Sequence, residues 1–330
     1  MKLALVRLLF LVATASLFVV HAQTPAGKEI KRPAIVGVAH IRLRTDNVDA
    51  ARAFYRGMLG FDETWVKGSD NNLLFTNFKV NDHQFIQVFP GLKSPTEDRL
   101  VDIAFETTDA QQLRAYLGSK GVEMADTLEP VKAKSLVSAD SDIIGDFIRG
   151  ISPDVALSFT VRDPDGHLVE FVQYLPRSMY AKDFGKHLGA RRISERIIHV
   201  GVTVKDREAA DHFYRDILGF KLQWHGGMKD EVTDWVAMRV PQGTDWLEYM
   251  LNVHDPSPRT LGVMHHFSLG VPSVKNSYQE ILKRGMKDVE PPKVGRDGKW
   301  QLNLYDPDGT RAELMEPTPV EKPCCSPILP

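Results

Sequence analysis

Cysteine is nearly absent: the 330-residue chain has two, and they are neighbours, Cys324 and Cys325, beside Pro323 and Pro327 close to the C-terminus. Adjacent cysteines near one end cannot staple a core, so a disulfide framework is excluded as the source of stability. An excess of either charge is missing too. With 41 basic and 43 acidic residues the formal net charge is -2, which gives no sign of a nucleic-acid partner. A long membrane-spanning run is also lacking, since the apolar stretch Leu8 to Val20 falls short of the roughly 20 residues a spanning helix needs. Lys2 and Arg7 precede that stretch and Val20-His21-Ala22 follows it, the order of a cleaved export signal over residues 1–22. The expectation is an exported protein, periplasmic or secreted, with no membrane contact once the signal is removed.

What the chain does have is a repeat. His40, Phe54-Tyr55-Arg56, Leu59-Gly60-Phe61 and Trp65 recur as His199, Phe213-Tyr214-Arg215, Leu218-Gly219-Phe220 and Trp224, all at an offset of 159 residues. An ungapped match of this kind is an internal duplication. It continues with small shifts: Asp163-Pro164-Asp165-Gly166 followed by Glu170 returns as Asp306-Pro307-Asp308-Gly309 followed by Glu313. Pro and Gly at these places suit a tight turn between antiparallel strands. In each copy an alternating strand (Val36 to Leu43 in the first) leads into a helical stripe. For the first copy the stripe is Ala51, Phe54, Tyr55, Met58 and Leu59, capped at Asp46 or Asn47 and stopped at Gly60.

The second copy also places four polar residues singly on apolar strands. His199 lies in Ile198 to Val202, Glu248 in Trp246 to Met250, His266 in Met264 to Val271 and Glu313 in Ala312 to Met315. Any one of these is commonly a satisfied core or edge residue. Two imidazoles and two carboxylates gathered together are the donor set of a borderline divalent metal, and two buried carboxylates repel each other without a cation. His265 points to the opposite strand face by alternation and is not counted.

These residues resemble the vicinal oxygen chelate superfamily, which includes glyoxalase I, extradiol dioxygenases, fosfomycin-resistance enzymes and bleomycin-binding proteins. The resemblance rests on the first-strand His, the Phe-Tyr-Arg to Leu-Gly-Phe helix end, the strand His before the second helix, and the Asp-Pro-Asp-Gly turn with its Glu. It covers Val36 to Glu316. It implies an α+β fold of two tandem domains, each of paired βαβββ modules forming a cupped eight-stranded mixed sheet. The expected divisions are a first domain 33–176, a linker 177–196, a second domain 197–317 and a flexible tail 318–330, with residues 132–152 read as an inserted loop or lid.

By position, the resemblance implies His199, Glu248, His266 and Glu313 as ligands of one divalent ion (Zn, Ni, Co, Mn or Fe(II)). The first copy shows His40, Gln87, Asp102 and Glu170 there, a worn set that His83 could supplement. The implied activity is glyoxalase-like lyase or isomerase chemistry on a small molecule with vicinal oxygens, Glu313 or Glu248 serving as base. Two alternatives stand beside it. One is extradiol ring cleavage with His254 as acid/base, although Asn303 holds the place of the tyrosine those enzymes use. The other is non-catalytic sequestration of a small molecule, with Trp224, Trp235, Trp246 and Trp300 as pocket walls or as ordinary core.

Overall fold

A computed structural model describes residues 30–69, 72–125, 156–176 and 179–320. The export signal, the inserted loop and the two cysteines lie outside the described residues. Strand-forming alternation and the two turn motifs sort the chain into two sheets, one per copy.

The first sheet holds β1 (Ile35–Thr45), β2 (Asp62–Ser69), β3 (Asn72–Lys79), β4 (Phe85–Pro90), β5 (Leu100–Thr107), β6 (Ala156–Arg162) and β7 (Leu168–Tyr174), in the order β2-β3-β4-β1-β5-β7-β6. The second holds β8 (Ile197–Thr203), β9 (Lys221–Gly226), β10 (Trp235–Arg239), β11 (Trp246–Met250), β12 (His266–Gly270), β13 (Lys293–Val294), β14 (Trp300–Tyr305) and β15 (Arg311–Met315). Its order is β13-β14-β15-β12-β8-β11-β10-β9. The architecture is thus α+β with two mixed sheets. Eight strands were expected in each; among the described residues the first has seven and the second eight.

The first strand of each copy is central. β8 runs parallel to β11, with Glu248 level with Gly201, and antiparallel to β12, with His266 level with Gly201. β1 likewise runs parallel to β4 and antiparallel to β5, with Arg42 level with Asp102. Residues on one face of the neighbouring strands within each sheet therefore lie side by side.

The first helix keeps its expected limits, with Asn47 as cap and Gly60 as stop, but in both copies only the first part is α-helical. Asn47 accepts from the amide of Ala50 and starts Val48–Arg52, and the chain then widens into a π-helical turn over Ala53–Met58. The second copy repeats this with Asp206 as cap, Arg207–Asp211 and a π-helical turn His212–Ile217. The wider turn keeps consecutive residues buried, Phe54 with Tyr55 and Phe213 with Tyr214. Gly60 ends the first helix at φ +79°, and a Cβ there would meet the carbonyl oxygen of Arg191 at 2.3 Å.

The two copies share one hydrophobic core, in which Tyr55 packs near Phe267 and Phe105 meets Phe220 edge to face at 5.2 Å. Two tyrosines cross between the copies. Tyr55 donates to Asp306 Oδ2 at 2.8 Å and Tyr214 donates to Asp163 Oδ2 at 3.0 Å. Each aspartate opens an Asp-Pro-Asp-Gly turn and accepts two backbone amides from it, so the turn that ends one copy is tied to the helix of the other.

Candidate metal centre

Strand alternation places His199 and Gly201 on the same face of β8, and the ladder carries His266 beside them. The four ring and carboxylate atoms converge. His199 Nε2 lies 3.0 Å from His266 Nε2 and 3.3 Å from Glu313 Oε2. Glu248 Oε2 lies 3.3 Å from His266 Nε2 and 3.8 Å from His199 Nε2. Ligands held about 2.0–2.2 Å from one first-row ion sit at separations of this size. His199, His266 and Glu313 form a mutually close trio, and Glu248 joins it across His266.

The surroundings prepare these donors. His266 Nδ1 lies 2.8 Å from the carbonyl oxygen of Met264, which assigns the proton to Nδ1 and turns the Nε2 lone pair inward. Trp246 backs the His199 ring at 4.8 Å between centroids. His199 Nδ1 has no hydrogen-bond partner among the described residues. Burial pushes His266 down to about 3 and His199 well below the ordinary imidazole value, so both are neutral, as ligation requires. Burial raises the Glu313 carboxyl and lifts Glu248 to about 7, while nearby Arg311 pulls both back down. A buried carboxyl, a partly buried one and two neutral imidazoles facing one point fit a divalent cation.

A cavity of about 340 Å³ opens on this cluster. Glu248, Glu313, Asn303 and Arg311 give it polar wall, and Trp224 and Trp235 give it aromatic wall. Trp246 instead supports His199, and Trp300 lies under Lys275 Nζ at 3.9 Å, so the tryptophans divide between pocket and packing. One expected residue, His254, is not brought here, and His265 faces away as expected. His254 is exposed in the segment after β11 and does not line the cavity. His265 is buried the other way, against Asp98 Oδ2 at 2.9 Å and Thr203 Oγ1 at 3.0 Å.

In the first copy His40, Asp102 and Glu170 also come together, but around a guanidinium. Arg42 is fully buried; its Nη1 lies 2.7 Å from Asp102 Oδ2 and 2.5 Å from Glu170 Oε2, and its Nε donates to Gln87 Oε1. His40 Nε2 sits 2.9 Å from Glu170 Oε2. Burial would raise the Glu170 carboxyl, yet Arg42 and His40 hold it down at about 2. The chain thus supplies its own cation to this set. His83, expected to supplement the set from the strand, lies before β4, half exposed, and pairs with Glu106 Oε2 at 2.9 Å.

The family model described as the Glyoxalase/Bleomycin resistance protein/Dioxygenase superfamily matches residues 37–171 and 196–314. The chain belongs to this superfamily.

Relatives within the superfamily differ in chemistry. Mouse mitochondrial methylmalonyl-CoA epimerase is 27% identical over 131 residues, 37% of this chain and 72% of that protein. The Mn(II)-bound glyoxalase from Novosphingobium aromaticivorans has a TM-score of 0.62 at 18% identity, covering 89% of this chain and 88% of that one. A variant of homoprotocatechuate 2,3-dioxygenase from B. fuscum has a TM-score of 0.61 at 17% identity, covering 87% of this chain and 72% of that one. At such identity the likeness to solved structures establishes the fold.

Three contributors at these two clusters escaped the sequence reading: Arg42, Gly201 and Arg311. The first two were within reach, because the 159-residue offset that aligns His40 with His199 also aligns Arg42 with Gly201.

Proposed function

We propose that this protein is a metal-dependent lyase or isomerase that moves a proton between neighbouring carbons of a small molecule with two adjacent oxygens. His199, His266 and Glu313 would hold the divalent ion, with Glu248 completing the set. The ion, when bound, supplies Lewis acidity to the substrate's paired oxygens and lowers the acidity barrier at the adjoining carbon. Glu248 is the base: its Oε2 faces both the cluster and the cavity, takes the proton from one carbon and returns it to the next. No electron is gained or lost in that exchange. Trp224 and Trp235 orient the substrate and exclude water.

The observation that carries the reading is the second carboxylate. A trio of two histidines and one carboxylate suits oxygen chemistry as well, and that trio is the ground for the dioxygenase alternative. Against that alternative, His254, the histidine offered as its acid/base, does not line the cavity, and Asn303 stands in the cavity wall at the place of the tyrosine. Two measurements decide. Elemental analysis should find one equivalent of a divalent metal in the wild type and almost none in a His266→Ala, Glu313→Ala variant. Solvent deuterium should enter a turned-over 2-oxo or 2-hydroxy compound with wild type and not with Glu248→Gln; oxygen uptake with catechols would instead establish ring cleavage.

Export after cleavage at Ala22 is part of the proposal, supported by the charged, apolar and small-residue order of residues 1–22. N-terminal sequencing of protein recovered outside the cytoplasm tests it; a chain retained inside with Met1 intact would refute it.

A further inference from the structure

We infer that Arg311 is the anion-binding residue of the cavity, so that a carboxylate supplies one of the substrate's two adjacent oxygens. This deepens the metal-dependent reading and rests on it. Arg311 and Glu313 are two residues apart on β15, which puts both on the same face. The guanidinium reaches the cluster itself, Nη2 donating to His266 Nε2 at 2.7 Å.

Its bonding is incomplete. Arg311 Nε is buried without a hydrogen-bond partner, and the residue makes no ion pair among the described residues. Neighbouring cations are otherwise placed: Arg296 pairs with Asp230 at 2.9 Å, Lys299 pairs with Asp297 at 3.0 Å, and Lys293 is exposed at the rim. The fold does not demand a cation here either. The turn alignment that matches Glu313 with Glu170 matches Arg311 with Leu168, an apolar residue in the first copy.

Electrostatics supply the rest of the argument. A guanidinium beside a bound divalent ion is repelled by it. An anionic oxygen between them turns that repulsion into two attractions. The planar fork of an arginine matches a carboxylate, and an unfilled Nε leaves one prong free for it. The same guanidinium must leave the His266 lone pair when that lone pair ligates, and the cavity is the open direction. A carboxylate-bearing substrate therefore gains from Arg311 what a neutral diol or ketone does not.

The test compares manganese-loaded wild type and Arg311→Gln by titration calorimetry, with two bidentate oxygen chelators as probes: oxalate, which offers carboxylates, and acetohydroxamate, which offers none. Arg311→Gln should bind manganese at least as tightly as wild type, because a competing cation is gone. Oxalate affinity should fall by about 30-fold, the loss of a charged hydrogen-bonding partner, while acetohydroxamate stays within about threefold. Arg311→Lys should keep part of the oxalate affinity. Unchanged oxalate binding, or equal losses for both probes, would overturn the assignment. Should wild type take up no manganese, the metal-dependent reading fails first, and the inference falls with it.

Discussion

A Cβ on Gly201 would stand 2.0 Å from Cε1 of His266 and 2.3 Å from its Nδ1. The imidazole occupies the space that any side chain at position 201 would fill, so the absence of a side chain is what lets β12 deliver a ligand to the centre. Gly201→Ala must displace the ring or part the strands. Overpacking of this kind costs about 1–3 kcal/mol, so the melting temperature should fall by several degrees. Metal content should drop from one per chain to about a tenth of that, since a structural shift of this size at a ligand costs 10–100-fold in affinity. Elemental analysis and thermal unfolding read both. Full retention of metal in the alanine variant would remove His266 from the ligand set.

Arg42 holds the same place in the first copy. There the residue that would have been a glycine carries the cation, and Asp102 and Glu170 close on it at 2.7 Å and 2.5 Å. Replacing Arg42 with glycine leaves two buried carboxylates without their partner, at a cost of about 3–5 kcal/mol. A divalent ion binding the folded state alone should recover stability in proportion to its concentration. The expected result is that Arg42→Gly unfolds at lower urea without manganese, regains stability with it, and holds a second equivalent. A wild-type chain that already binds two equivalents would contradict the role given to Arg42.

The sequence made the architecture legible because a duplication repeats its punctuation. Helix caps, the glycines after each helix and the Asp-Pro-Asp-Gly turns fall at matched positions, and each acts locally, through backbone conformation. The four polar residues of the second copy were legible for a related reason, as lone charges on apolar strands. Arg42 was not, because a strand arginine next to Leu43 and Arg44 reads as a solvated face until β1 is known to be central and fully covered. His254 failed in the opposite sense. The extradiol alternative offered it as an acid/base, but a loop between Met250 and Ser257 sets its own direction and carries the side chain out to solvent. The widening of each helix after Arg52 and Asp211 was also hidden, since one extra residue per turn leaves the apolar pattern almost unchanged over so short a span.

The tyrosine bonds between the copies should be separable from the chemistry. Tyr55→Phe leaves Asp306 Oδ2, buried and normally paired, without its donor, whereas Tyr214→Phe costs less because Asp163 Oδ2 keeps His167 Nδ1 at 2.9 Å. An unsatisfied buried acceptor of this kind costs about 1–3 kcal/mol. The two losses should add within about 0.5 kcal/mol, because the tyrosines bond different aspartates. Metal content should not change. Urea unfolding of the single and double variants reads the energies; a variant that lost metal along with stability would show that the inter-copy bonds hold the centre in place.

The charge on Arg42 should set how the stability of the first copy depends on pH. Glu170 sits at about 2, below its ordinary 4.5, so its ionised form stabilises the folded chain above about 4.5 and that contribution is lost as pH falls towards 2. Asp102 acts in the opposite sense, because burial raises it in spite of Arg42. The comparison with Arg42→Met removes this ambiguity. Without the guanidinium both carboxyls are buried beside an apolar side chain and both prefer the proton, so the variant gains stability as pH falls. The gap between wild type and variant should therefore be widest at neutral pH and narrow steadily towards pH 3, where protonation does for the variant what Arg42 does for the wild type. Urea midpoints at pH 7, 5 and 3 measure that gap. A gap that stayed constant would mean that Arg42 stabilises the first copy by its volume and not by its charge.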